Sequence, residues 1–267
     1  MITLVECGRF AGDALSSGAG EVCAVFRRSV YLRFAQDRYA CLGDATLGRG
    51  PLNARVADAR VLGSLQMGAR VEIKRGWPAP WSPRRAKRRL RPRVLADNLR
   101  GLALAARSWA REQGLGRRIC GGDAPLVRHA GPALRALDHW LESGRGSVPE
   151  AVHALLGLGP GLTPSGDDYL GGALVALRTL GEDARADALW RSVRSRAGGR
   201  THAISLAHLA AAAEGEAHEA LHGCLYELFA PRAARWEAAL ARLDKVGQCS
   251  GWDGLAGAVA VARSALR

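Results

Sequence analysis

The sequence predicts an α+β protein in which a small N-terminal β domain, a partial barrel, is followed by a mainly helical C-terminal portion. Three observations carry this reading. Short apolar runs of strand character fill residues 20–75, separated by Gly, Asp and Pro. The segment Gly76-Trp-Pro-Ala-Pro-Trp-Ser-Pro83 holds three prolines, shows no helical period and leads into a block of arginines. From Leu95 onward apolar residues recur at helical spacing. Strands come first and helices after, so a doubly wound sheet, which needs them to alternate, is disfavoured.

In chain order, the expected strands are Glu21–Phe26, Val30–Phe34, Tyr39–Leu42, Asn53–Val56 and Arg70–Lys74. The expected helices are 95–113, 124–143, 149–156, 166–180, 183–196, 201–214, 216–229, 232–246 and 251–266, each broken by Gly or Pro. Alanine is abundant among them, which favours helix and permits close helix contacts. These elements divide the chain into a β-rich domain at 1–80, a basic junction at 81–94 and a helical domain at 95–267.

Composition narrows the function classes. No run of eighteen apolar residues occurs, and Glu6, Arg9 and Asp13 interrupt the start where a signal peptide needs an apolar stretch. A cytoplasmic protein with no membrane partner is therefore expected. Cys7, Cys23, Cys41, Cys120, Cys224 and Cys249 are scattered without zinc spacing, which points to reduced thiols. The formal charge of +13 raises nucleic acid as a partner, but the basic residues crowd into Arg84–Arg93 and no base-reading motif accompanies them. Trp77 and Trp81 lie among prolines, where they serve to pack the junction. Only weak, non-specific nucleic-acid binding is expected.

The most informative stretch is Gly157-Leu-Gly-Pro-Gly-Leu-Thr-Pro-Ser-Gly-Asp-Asp168. Thr163 before Pro164 reads as an N-cap, and Ser165 with Asp168 reads as a capping box, so a helix begins here in either case. Its N–H groups, beside Gly159, Gly161 and Gly166, form a ready site for phosphate or carboxylate. The spacing matches neither a Walker loop nor a dinucleotide fingerprint. A second segment, Ser250-Gly-Trp-Asp-Gly-Leu-Ala-Gly-Ala258, is identical to Ser165-Gly-Asp-Asp-Tyr-Leu-Gly-Gly-Ala173 at six of nine positions. The echo predicts two helix N-termini, with Ser165, Gly166, Ser250 and Gly251 at their starts, pointing at one pocket. A single loop of this kind is usually only a capped turn; two with the same Ser, Gly and Asp are harder to attribute to capping alone.

Carboxylates in the first turn would repel an anion. Three resolutions are open: one Asp caps its helix, a Mg²⁺ bridges carboxylate and phosphate, or one Asp acts as a base or orients an amine. No cofactor is called for otherwise, and the metal question stays open. Asp168 is matched by Asp253 and reads as the capping member. Asp167, matched by Trp252, is then the catalytic candidate. Thr201 and Ser205 lie four apart on one helical face and join the candidate binding residues, although capping and packing explain them equally well. Arg49 and Asn53, in Gly48-Arg-Gly-Pro-Leu-Asn53, are weaker candidates, since a hairpin turn accounts for them too. His153, His202 and His208 show no metal spacing and read as surface or packed residues.

Taken together, Gly159–Asp168, Thr201-His-Ala-Ile-Ser205 and Gly247-Gln-Cys-Ser-Gly-Trp-Asp-Gly-Leu-Ala-Gly257 resemble the AllH family, subunits of oxamate carbamoyltransferase. The resemblance implies a role in carbamoyl transfer between carbamoyl phosphate and oxamate, in a complex with other subunit types. It departs at Gln248, where the family's last motif commonly carries His. Two other readings remain beside it: another enzyme acting on a small carboxylate or phosphorylated metabolite, and a non-catalytic binding or assembly subunit.

Overall fold

The structure, a computed structural model, describes residues 2–74, 76–83 and 91–267. Most of the basic run, residues 84–90, lies outside the described residues. The chain divides into two compact units, Met1–Arg84 and Arg85–Arg267.

The first unit is a six-stranded sheet of β1 (Leu4–Cys7), β2 (Gly20–Val25), β3 (Ser29–Phe34), β4 (Arg38–Gly43), β5 (Asn53–Val56) and β6 (Arg70–Val71), with one helix, α1 (Arg9–Leu15). The strand order is β1-β5-β4-β3-β2-β6, curled into a half-barrel. β4 and β5 run parallel and the other neighbours antiparallel. A further bridge joins Ile2 to Ile73, bringing the two ends of the sheet together. In β3, Val30, Leu32 and Phe34 are buried while Arg33 between them is exposed, the period-two pattern of a strand with one face on a core. Each such side chain contributes roughly 1.5–3 kcal/mol by leaving water. Ala11, Ala14 and Leu15 of α1 join that core. β1 and α1 are additions to the elements that the sequence reading names.

The second unit contains α2 (Pro92–Trp109), α3 (Pro125–His129), α4 (Gly131–Ser143), α5 (Ser165–Leu180), α6 (Asp183–Arg196), α7 (Ala203–Ala213), α8 (Glu219–Leu228), α9 (Trp236–Leu243) and α10 (Ser250–Ser264). Short 3₁₀ turns occupy Gly116–Cys120 and Glu150–Leu155. The single helix expected over 124–143 is two, α3 and α4. Pro132, in the first turn of α4, has no N–H to continue a preceding helix, so the chain re-starts at Gly131 although the apolar period runs on. The segment expected as a helix at 149–156 is 3₁₀. α5 and α10 form the centre: every residue from Gly251 to Ala262 is buried, and α2, α4, α6, α7 and α8 pack around the pair. A helix apolar on all sides can only be an inner one.

Candidate functional site

The echo in the sequence is an echo in space. α5 and α10 approach so closely that a Cβ on Gly172 would stand 1.7 Å from the Gly254 carbonyl oxygen, and one on Gly257 would stand 1.9 Å from that of Tyr169. Tyr169 and Gly254 occupy the same place in the two repeats, so the contacts are reciprocal. The helix starts exchange partners in the same way. Ser165 on α5 lies in hydrogen-bonding reach of the Asp253 carboxyl of α10, while Ser250 on α10 and Thr163 lie in reach of the Asp168 carboxyl of α5. Thr163 Oγ1 and Ser250 Oγ are 3.1 Å apart. The two N-termini thus meet, and both hydroxyls belong to partly exposed residues.

The loop before α5 relies on glycine. Gly157 has φ +71°, and a Cβ there would lie 1.8 Å from the Arg200 carbonyl oxygen, so no other residue fits. Gly159 and Gly161 also have positive φ, and Gly161, with open space around it, is exposed. The caps differ from expectation. Pro164 is the N-cap of α5, Ser165 is the first helical residue, and neither Thr163 nor Asp168 caps the helix through its side chain. Those side chains turn across to α10 instead. Two of the N–H groups expected to face a ligand are engaged, Gly166 N–H with the Leu158 carbonyl at 2.9 Å and Gly251 N–H with that of Val246 at 3.2 Å. The Ser165 and Ser250 positions and the hydroxyls carry the remaining donors.

The two aspartates have unlike surroundings. Asp167 is 1% exposed and accepts three hydrogen bonds. Its Oδ1 takes the Gly157 N–H at 2.9 Å, and its Oδ2 takes the Ser205 hydroxyl at 2.6 Å and the Thr201 hydroxyl. Thr201 and Ser205 are therefore brought to Asp167, as an anchor joining the glycine loop, α5 and the start of α7. Thr201 itself precedes α7, whose N-cap is His202. Three donors thus converge on the Asp167 carboxylate. At Asp168, by contrast, the buried Oδ2 has no hydrogen-bond partner, and the same holds for Oδ2 of Asp253. Burial pushes the Asp168 carboxyl well above the ordinary carboxylate range, and the neighbouring Asp253 and Asp167 charges add to the effect.

Asp253 also fastens the α2 side of the site. Its Oδ1 accepts the Leu115 N–H at 2.5 Å, and the Gly116 N–H lies in reach. Burial raises its pKa to about 6, against the opposing pull of these donors and Ser165. An acid whose pKa is raised by folding holds its proton more tightly in the folded state. Its stabilising contribution is complete below about pH 4, the unfolded value, and is lost as pH rises through about 6. The loss is on the order of 3 kcal/mol. Wild-type melting temperature should therefore fall, relative to Asp253→Asn, between about pH 4 and 7. A difference that stays constant over this range would contradict the assignment.

Just before α10, Gln248 is exposed, donates from Nε2 to Gln113 Oε1 at 2.8 Å, and has its carbonyl bonded by Arg111 at 2.6 Å. The Cys249 Sγ contacts the Gln113 carbonyl at 3.4 Å, and burial, aided by Asp253, raises its pKa, so it stands as a packed thiol. The Gln113–Gly116 contribution gives no sequence signal, because it comes from a turn about 135 residues away. Arg49 and Asn53 belong to the first unit, where Arg49 pairs with Glu6 at 2.6 Å and Asn53 bonds the Gly48 carbonyl at 2.8 Å. Both are thus employed within the first unit. Among the described residues, no group of three or more His, Cys, Asp or Glu side chains is arranged to hold a metal ion. Nor is any described helix long and apolar enough to cross a membrane.

Comparison with known proteins adds one finding. Residues 155–262 match the family model described as oxamate carbamoyltransferase subunit AllH, the family that the motifs resemble. The matched span lies inside the second unit and contains both helix starts, the Asp167 anchor and the whole α5–α7 stretch. No curated protein and no solved structure matches the chain.

Proposed function

We propose that this chain is a subunit of a carbamoyltransferase-type enzyme, and that its paired helix starts, Thr163–Asp168 and Ser250–Asp253, bind a small anion of the carbamoyl phosphate and oxamate class. The observation that carries the proposal is the meeting of Thr163 and Ser250 hydroxyls at 3.1 Å, within the span that matches the AllH family. Two helix N-termini at one place favour negative charge, and hydroxyl donors beside them suit its oxygens. Burial favours the neutral form of Asp168 and Asp253, which removes the repulsion that two first-turn carboxylates would otherwise impose.

In this reading the Thr163 and Ser250 hydroxyls and the Ser165 backbone N–H donate to the anion, and Gly159 and Gly161 let it approach the backbone. Asp168, not Asp167, stands next to the donors and can hand a hydrogen bond to an oxygen that gains charge as the carbamoyl group is transferred. Asp167, through Thr201 and Ser205, holds the loop in shape. Gln248, already paired with Gln113, takes no proton, so proton transfer falls to another group of this chain or to a companion subunit. That last point favours, as a second reading, a subunit that binds the anion and leaves the chemistry to its partners.

The test is a thermal-shift panel with carbamoyl phosphate, phosphate, oxamate and oxalurate, with and without Mg²⁺, at pH 5.5 and 8. Binding raises stability with occupancy, by about 2.7 kcal/mol at a hundred times Kd. A shift with carbamoyl phosphate or oxamate that is larger at pH 5.5 is expected. No shift with any of the four at either pH would sink the proposal.

A further inference from the structure

The two carboxyls that the repeats place in the first turns of α5 and α10 differ in what they face. Asp253 is 0% exposed, and its Oδ1 takes the Leu115 N–H. A Cβ on Gly114 would stand 2.9 Å from its Oδ2, so this carboxyl is closed in by the turn before α10. Asp168, its counterpart in the first repeat, is partly exposed and lies among the hydroxyls of Thr163 and Ser250, residues that are partly exposed too. Its Oδ2 is buried and without a hydrogen-bond partner. A buried polar atom left unpaired is costly, and such an atom at a ligand site calls for its partner from the ligand. Resting on the anion site proposed above, we infer that the Asp168 carboxyl reads the amide group of the bound molecule. The site then selects anions that carry a CO–NH2 group over anions of the same size and charge in which a methyl group replaces the NH2.

Burial, with the charges of Asp253 and Asp167 nearby, favours the neutral form of this carboxyl. A neutral carboxyl presents one O–H donor and one C=O acceptor side by side. A carbamoyl group, or the amide end of oxamate, presents the complement, a C=O acceptor beside an N–H donor. The two groups therefore pair through two parallel hydrogen bonds. The O–H serves the carbamoyl oxygen, and the C=O takes the N–H. The Thr163 and Ser250 hydroxyls remain for the phosphate or carboxylate end, which an ionised Asp168 would repel. A methyl group in place of NH2 brings no donor and leaves the acceptor desolvated and unpaired. Loss of this kind is how a site built around one N–H rejects a close analogue that lacks it.

Two pairs of molecules isolate the amide: oxamate with pyruvate, and carbamoyl phosphate with acetyl phosphate, the members of each differing only in NH2 against CH3. Each is titrated calorimetrically into the whole chain at pH 5.5. In at least one pair the wild-type chain should bind the amide member at least about tenfold more tightly than the methyl member. Asp168→Asn, which keeps an acceptor and a donor at the same place, should retain that preference. Asp168→Ala should bind both members weakly and within about twofold of each other. The wild-type ratio depends on no variant's folding and is decisive by itself. Equal binding of the two members of each pair by the wild-type chain overturns the inference and leaves the anion site standing, as does a preference that persists in Asp168→Ala. Absence of binding by all four molecules overturns the anion site and the inference together.

Discussion

Gly172→Ala should cost the helical unit at least about 3 kcal/mol or prevent its folding, while Gly171→Ala, one residue away, should be neutral or stabilise by up to about 1 kcal/mol. The added Cβ at 172 would stand 1.7 Å from the Gly254 carbonyl oxygen, which is helix backbone and cannot swing aside. Relief requires α5 and α10 to separate, and with them go the reciprocal Gly257 contact and the exchanged Ser–Asp bonds. At 171 the new methyl group meets the Ala212 Cβ at 3.6 Å and the Leu209 Cδ2 at 3.9 Å, ordinary contacts, and alanine is the better helix former. Denaturant midpoints of the two variants decide the matter. Similar midpoints for both would mean that the helices are not packed backbone to backbone.

Asp167→Ala is expected to lower stability by about 3 kcal/mol, and Asp168→Asn by less than about 1 kcal/mol. Three donors converge on Asp167, among them the Gly157 N–H and the buried Ser205 hydroxyl, and truncation strands them together. Asp168 has a buried oxygen without a partner and a carboxyl whose ionisation burial opposes, so a neutral amide relieves the site as much as it disturbs it. The ligand-induced shift should show the opposite ranking among folded variants, with Asp168→Ala, which cannot donate, losing it. Equal stability losses, or a larger loss at 168, would restore the capping role that the sequence suggested for Asp168.

These two aspartates show where sequence reading succeeds and stops. The Ser–Gly–x–Asp echo was legible, and so was its consequence that two helix starts meet, because a repeated local pattern survives into space when the helices pair symmetrically. What the repeated Asp does was not legible. A duplicated residue looks like a local cap, whereas here it bonds the other repeat, a contact between positions such as Ser165 and Asp253 that no local rule encodes. Thr201 and Ser205 were singled out by their spacing, but their partner, 34 and 38 residues earlier, was hidden for the same reason. The β runs from Glu21 to Val56 and the bounds of α6 were readable from period alone. The break at Ala130 was not, since the apolar period of 124–143 continues through it and only Pro132 marks the restart.

The most direct test of the paired helix starts is a calorimetric titration of carbamoyl phosphate and of oxamate into the wild-type chain and into Thr163→Val and Ser250→Ala, at one pH and salt concentration. Each hydroxyl removed deprives the bound anion of a charge-assisted hydrogen bond, about 1.5–3 kcal/mol, or roughly a tenfold to hundredfold loss of affinity. The account predicts saturable binding of at least one of the two anions to the wild-type chain and a loss of that size in both variants, with melting temperatures of the unliganded proteins unchanged. Binding of equal strength in all three proteins would place the anion elsewhere and contradict the account.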